Sequence, residues 1–266
     1  MNACLVIPTR YLVPIDQAGT SMIWMKCFLP LFAALLIWVP QLVNAGSFSV
    51  TPVRIDLSKA ESTRVINLHN LESKPVTVQL QILSWSHKDG TDQLTPTRDV
   101  IVTPQVFHLK PNSLQIIRAG LLRKPDATEE LSYRLIIEEI PEPPSAEFTG
   151  AQLALKITLP VFVAPEKTSK PQLEFQSFVE ADGKLKVRIL NQGKVHTKIQ
   201  QFVIFAEGKA EKILAKHEKS LYVLPGQERN IFLRTEAYVL SESDKLIIRA
   251  TSSNESMDFY ASAGPP

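Results

Sequence analysis

Residues 151–163 read A-Q-L-A-L-K-I-T-L-P-V-F-V, and every odd position is apolar: Ala151, Leu153, Leu155, Ile157, Leu159, Val161 and Val163. Side chains alternate between the two faces of a strand, so this pattern lays one continuous apolar stripe along an extended segment. The stretch is 13 residues long, against a usual strand of about five or six. Pro160 has no N–H for a ladder, which places the segment at a sheet edge or a bulge. An apolar edge must be covered or used, because unpaired edges seed aggregation. Two readings stay open. Leu153, Leu155 and Ile157 fill the core of their own domain, or the edge completes the sheet of a partner and alternate side chains enter the partner's core.

Outward from that stretch, period-two alternation continues. Runs 63–70, 75–85, 113–119 and 131–139 precede it, and 172–179, 184–190, 198–206, 228–234 and 245–250 follow. Asp89-Gly90, Pro111-Asn112, Pro125-Asp126, Asp182-Gly183 and Pro225-Gly226 supply turn chemistry between them. No convincing helical stripe follows Ala45. Many short strands at this spacing predict an all-β protein of antiparallel sandwiches. The polar, proline-bracketed run Ala164–Pro171 reads as a hinge. It divides 46–165 from 166–266, each the size of an immunoglobulin-like sandwich.

The start of the chain reads differently. Lys26, the apolar run 28–39, Pro40 and then Val43-Asn44-Ala45 form a secretory signal peptide with cleavage expected after Ala45. Twelve apolar residues fall short of the roughly 20 that a spanning helix needs, so membrane insertion of the mature chain is not expected. Residues 1–45 are thus a leader. Cys4 and Cys27, the only cysteines, lie within it, so the exported remainder must be held together by its core rather than by disulfides.

Composition narrows function. Lys+Arg 29 against Asp+Glu 27 gives a formal net charge of +2, far from the basic excess of a nucleic-acid binder. His69, His87, His108, His196 and His217 are scattered without metal-ligand spacing, and no nucleophile-elbow, phosphate-loop or dinucleotide fingerprint occurs. Glu138 and Glu139 are adjacent on a strand and point to opposite faces, so they cannot share one proton-transfer site. Catalysis is not expected, and no cofactor is implied. An exported adhesive or carbohydrate-binding pair of sandwiches competes with a chaperone. Trp85 is the only tryptophan after the leader, and its place at the end of an alternating strand suits a core role better than a sugar platform.

The stretches S-F-S-V-T-P-V-R-I-D-L (47–57), Y-R-L-I-I-E-E-I-P-E-P-P (133–144) and A-L-K-I-T-L-P-V-F-V-A-P (154–165) resemble periplasmic pilus-assembly chaperones of the chaperone-usher pathway, particularly the archaic branch. T-P-T-R-D-V (95–100), N-Q-G-K-V-H (191–196) and Y-V-L-P-G (222–226) fit the same branch. The resemblance implies two immunoglobulin-like sandwiches set at an angle, with pilin subunits and an outer-membrane usher as partners. A long strand of the first domain would fill the open core of a pilin by donor-strand complementation. Leu153, Leu155 and Ile157 then become donor side chains, with Leu159 a fourth. Whether the free protein caps its own edge by dimerising stays open.

The same resemblance implies cations in the cleft that hold the C-terminal carboxylate of the subunit. Arg54 stands where the wider family carries an arginine, and the planar fork of a guanidinium can meet both carboxylate oxygens. The place of the family's lysine falls on Pro160, so Lys156 and Arg118 are the nearest substitutes. The bland alternatives are an Arg54 balanced by Asp56, a Lys156 facing solvent, and an Arg118 in a structural ion pair.

Overall fold

The computed structural model describes residues 48–141, 143, 153–180, 182–207, 209–235, 245–252 and 255–264. The expected leader, both cysteines, Ala151 and the loop residues 144–150 lie outside the described residues. The first lobe is built from β1 (Phe48–Thr51), β2 (Ile55–Leu57), β3 (Thr63–Asn70), β4 (Val76–Lys88), β5 (Thr91–Pro96), β6 (Val100–Thr103), β7 (Val106–Leu109), β8 (Leu114–Leu121), β9 (Leu131–Ile140) and β10 (Lys156–Val163). The second contains β11 (Leu173–Val179), β12 (Leu185–Asn191), β13 (Thr197–Ala206), β14 (Lys209–His217), β15 (Leu221–Val223), β16 (Glu228–Leu233), β17 (Lys245–Ser252) and β18 (Glu255–Gly264).

In the first lobe a sheet in the order β1-β3-β8-β6 faces a second in the order β2-β10-β9-β4-β5, with β7 also paired to β4. Alternation explains the core. Ile66, Leu68, Ile117 and Ala119 point inward from one sheet and meet Val78, Leu80, Leu135, Ile137 and Val161 from the other. In the second lobe the order is β14-β13-β17-β18-β11-β12-β16. Here β18 pairs along its length with β17 and, over two residues, with β11, so one strand serves both layers. Leu185, Val187, Ile189, Ile199, Phe202, Ile204 and Ile248 fill that core.

Each lobe anchors a loop between strands that do not pair with each other by a fully buried asparagine. The Asn70 amide donates to Lys74 O and Lys110 O while its oxygen accepts from Glu72 N–H. The Asn191 amide donates to Val195 O and Val223 O, and its oxygen accepts from the N–H groups of Gln172 and Gly193. A buried carboxamide with all of its donors and acceptors used stabilises a loop without leaving a desolvated group unpaired.

The segment between the lobes is more tightly held than its composition suggests. Glu166 and Lys167 donate their N–H groups to Asp126 O and Ala127 O, and Ser169 Oγ donates to Thr128 O. Across the joint, Trp85, Phe162 and Leu224 are buried together with Tyr222 packed against them. Trp85 is therefore buried as expected, but between the lobes rather than inside a sandwich. Gly90, at φ +76°, brings the β4–β5 turn so close to β16 that a Cβ there would stand 2.7 Å from Asn230 N.

Candidate functional site

Strand β10 is shorter than the 13 residues expected, beginning at Lys156. The ladder nevertheless starts before it, since Glu139 N–H donates to Leu155 O at 2.9 Å and Leu155 N–H donates to Glu139 Oε2 at 3.2 Å. Backbone groups of successive strand residues point to opposite edges. Odd residues of β10 therefore address β9, and Lys156, Thr158 and Pro160 address the other edge. There β2 runs parallel to β10 only from Val161 to Val163. Among the described residues nothing pairs with that edge at Lys156 or Thr158. Pro160 thus sits where the sequence pattern places it, at the boundary between an open edge and one covered by β2.

The expected donor residues divide. Leu153 is 86% exposed. Leu155 is half-buried, and Ile157 packs against the core of its own sandwich. Leu159 is a correction: it is 5% exposed inside that core, so it is not free to enter another protein. The stripe is continuous in sequence, but its depth changes along the strand because β2 and the opposite sheet close over its C-terminal half.

The outer face of the same sheet is a set of cross-strand rows. Lys156 stands beside Glu138 and Gln79, Thr158 beside Ile136 and Gln81, and Pro160 beside Arg134 and Leu83. Lys156 Nζ lies 3.4 Å from Glu138 Oε1 with both side chains about half exposed, a surface pair of small energetic weight. It is four residues before Pro160, roughly 13 Å along the strand at the rise of an extended chain. Arg118 is placed on the outer face of the other sheet, between inward-facing Ile117 and Ala119. It faces away from this site, which removes it from the anchor.

Arg54, immediately before β2, is 54% exposed, and its Nε donates to Asp56 Oδ2 at 2.9 Å. The bland pairing with Asp56 is thus present, yet Arg54 also acts electrostatically on Tyr222 of the second lobe. Burial pushes the Tyr222 phenol up, while Arg54 and Arg134 beside it pull it down. Arg134 is the cation that sequence reasoning missed. Its side chain is 16% exposed and lies 3.5 Å over the Trp85 ring. Burial lowers its pKa, and the Asp92 carboxylate opposes that shift. The signal was available in Y-R-L-I-I-E-E, because antiparallel pairing sets Arg134 opposite Pro160, but that register cannot be read before the strands are paired.

Asp92 sits at the inner end of this face. Burial alone would raise its pKa, but the hydrogen bond with His87 and the charge of Arg229 hold it well below the usual carboxylate range. Arg229 Nη1 approaches Asp92 Oδ1 at 2.5 Å, so the first lobe's carboxylate is shared with the second lobe's guanidinium. Among the described residues no group of three or more His, Cys, Asp or Glu could hold a metal. Trp85 is covered by Arg134 and Phe162, so that ring is not an exposed aromatic platform.

Residues 47–169 match the family model described as pili and flagellar-assembly chaperone, PapD N-terminal domain. No curated protein matches the sequence. Among solved structures, the chain is similar to the CsuC–CsuE chaperone–tip adhesion subunit pre-assembly complex from archaic chaperone-usher Csu pili of Acinetobacter baumannii, with TM-score 0.59, 17% identity, 81% of this chain and 98% of that chain covered. It is also similar to the Salmonella enterica SafA pilin in complex with the SafB chaperone, with TM-score 0.55, 16% identity and coverage of 83% and 98%. The E. coli chaperone DraB gives TM-score 0.51, 19% identity and coverage of 82% and 98%. These likenesses establish the fold of two β-sandwiches.

Proposed function

We propose that this chain is a periplasmic chaperone of the chaperone-usher type, close to the archaic branch, which captures pilus subunits by donor-strand complementation and passes them to an outer-membrane usher. The observation that carries this reading is the open edge of β10, which presents backbone groups at Lys156 and Thr158 and is closed from Val161 onward by β2. The match of residues 47–169 to a pilus-chaperone model supports it. So do the two similar structures described as complexes of a chaperone with a subunit. The reading requires no catalysis and no cofactor, because strand pairing and apolar burial supply the binding energy. Export follows from the leader, with cleavage after Ala45 and a division between domains at 165/166.

In this reading Leu153 and Leu155 enter the open core of the subunit, and Ile157 contributes at the margin. Each aliphatic side chain buried this way contributes about 1.5–3 kcal/mol before association costs. Because β2 occupies the edge beyond Pro160, the subunit's strand must stop there. If that strand ends in its own α-carboxylate and runs parallel to β10, the carboxylate arrives between Arg54 and Arg134. Arg134 therefore takes the place expected for Lys156.

Co-expression with a pilus subunit from the same genome tests the assignment. Soluble one-to-one complex formation is expected, with loss of co-purification for Leu153→Glu combined with Leu155→Glu. Unchanged co-purification of that folded variant would overturn the donor-strand reading.

A further inference from the structure

The joint between the lobes contains a histidine bonded to both of them, and we propose that protonation of His87 unlatches one side of that joint while the other side stays closed. The His87 side chain is 1% exposed, and its Nδ1 stands 3.1 Å from Asp92 Oδ1. Across the joint, Leu224 N–H of the second lobe donates to His87 Nε2 at 3.4 Å. With a carboxylate at Nδ1 and an N–H donor at Nε2 we assign the ring the neutral tautomer with its proton on Nδ1, in which the 3.3 Å approach of Arg229 Nη1 to Nδ1 is a charge contact and not a hydrogen bond. The His87 backbone N–H donates to Gln227 Oε1, so residue 87 holds the 224–227 turn at two points.

The charged groups around the ring are one carboxylate and two guanidiniums. From β5 it faces Asp92; from β16, Arg229 Nη1 lies 3.3 Å from Nδ1; from β9, Arg134 Nη2 lies 4.0 Å from Asp92 Oδ2. Trp85 meets it edge-on at 5.6 Å, and the 224–227 turn supplies only uncharged amides. One carboxylate already serves two guanidiniums. A proton on Nε2 would set two donors against each other at Leu224 and add a third cation in a buried site, and both effects disfavour the closed contact.

The opposite side of the joint responds the other way. His196 Nδ1 lies 2.6 Å from Glu130 Oε1, and its ring stacks on Phe162 at 3.5 Å. There Nδ1 already holds the proton that faces Glu130, and a second proton on Nε2 leaves that bond in place and sets an imidazolium beside the carboxylate. Glu130 N–H also donates to Lys194 O at 2.9 Å, and Lys194 Nζ pairs with Glu129 at 3.1 Å. Histidine is the side chain that changes charge in the mildly acid range. Acidification therefore releases the 224–227 turn while the 130/196 contact holds, so the lobes turn about the second contact and the cleft changes width.

Amide hydrogen exchange read by NMR on the purified protein tests this without any subunit, so its outcome is independent of the proposed function. After correction for intrinsic exchange, Leu224 protection is expected to fall in acid by up to about tenfold per pH unit, the slope for one linked proton. The amides of Glu130, Ile66 and Ile189 should stay protected. His87→Gln can still donate to Asp92 and accept from Leu224 but does not titrate, so it should keep Leu224 protected between about pH 7.5 and about pH 5. Equal Leu224 protection at both pH values, an equal fall in the variant, or loss of protection at all four amides together would overturn the inference. Should the variant fail to fold, nitrogen-15 shifts of His87 in the wild type decide: a proton on Nε2 at about pH 7.5 is incompatible with the latch.

Discussion

Pro160 stands directly opposite Arg134 in the β9–β10 ladder. The residue that ends the open edge and the guanidinium that covers Trp85 are therefore fixed to each other by strand register alone, and neither can shift without the other. A one-residue slip would turn Arg134 into the sandwich core, where its charge could not be accommodated.

Arg54→Ala should reduce subunit capture while changing unfolding free energy by less than about 0.5 kcal/mol, because the side chain is half exposed and its ion pair with Asp56 is a surface pair. Pull-down titration and urea unfolding measured side by side check this. Equal loss of both would make Arg54 structural.

Arg134→Ala should lower both capture and stability, the latter by about 1–3 kcal/mol, since it uncovers Trp85 and leaves Asp92 with fewer partners. Arg134→Lys, which keeps charge but not the planar stack, is expected to recover part of the capture.

Leu159→Ala and Leu153→Ala should separate cleanly. The first opens a cavity in the first lobe and should cost about 2–5 kcal/mol. The second removes an exposed side chain and should leave stability within about 0.5 kcal/mol. Denaturant midpoints with unchanged m-values would confirm the assignment of Leu159 to its own core.

Gly90→Ala should weaken the joint by about 1–3 kcal/mol, because φ is +76° and the added methyl group meets Asn230. The expected signature is faster amide exchange at Asn230 with little change in the buried strand β3.

Asp92→Asn should be less stable than the wild type by about 1 kcal/mol near neutrality, a value already reduced for the partial exposure of the carboxylate. The folded pKa of Asp92 is depressed, so its contribution is present above about pH 4 and fades as pH falls toward the folded value. The gap between variant and wild type should therefore close in acid, as measured by urea unfolding at stepped pH.

Much of the fold was legible in the chain itself. Period-two alternation located β3 at 63–70 and came within one to three residues of the ends of β4, β8, β9, β12 and β16, because one face of each strand is buried and the other is not. The apolar stripe from Leu153 to Val163 and the stop at Pro160 were also plain, since both follow from side-chain parity and a missing N–H.

Depth, pairing and cross-lobe contact could not be read in the same way. Leu153 and Leu159 are the same residue type on the same stripe, and only the closure of β2 and the opposite sheet leaves one exposed and buries the other. Arg134, His87 and Tyr222 are far apart in sequence and became neighbours through strand register and the joint between lobes. The amino-acid sequence determined which faces are apolar, because that is a local periodic property. The tertiary structure decided which edge stays open and which cation stands opposite the residue that ends it, because those depend on strands distant along the chain.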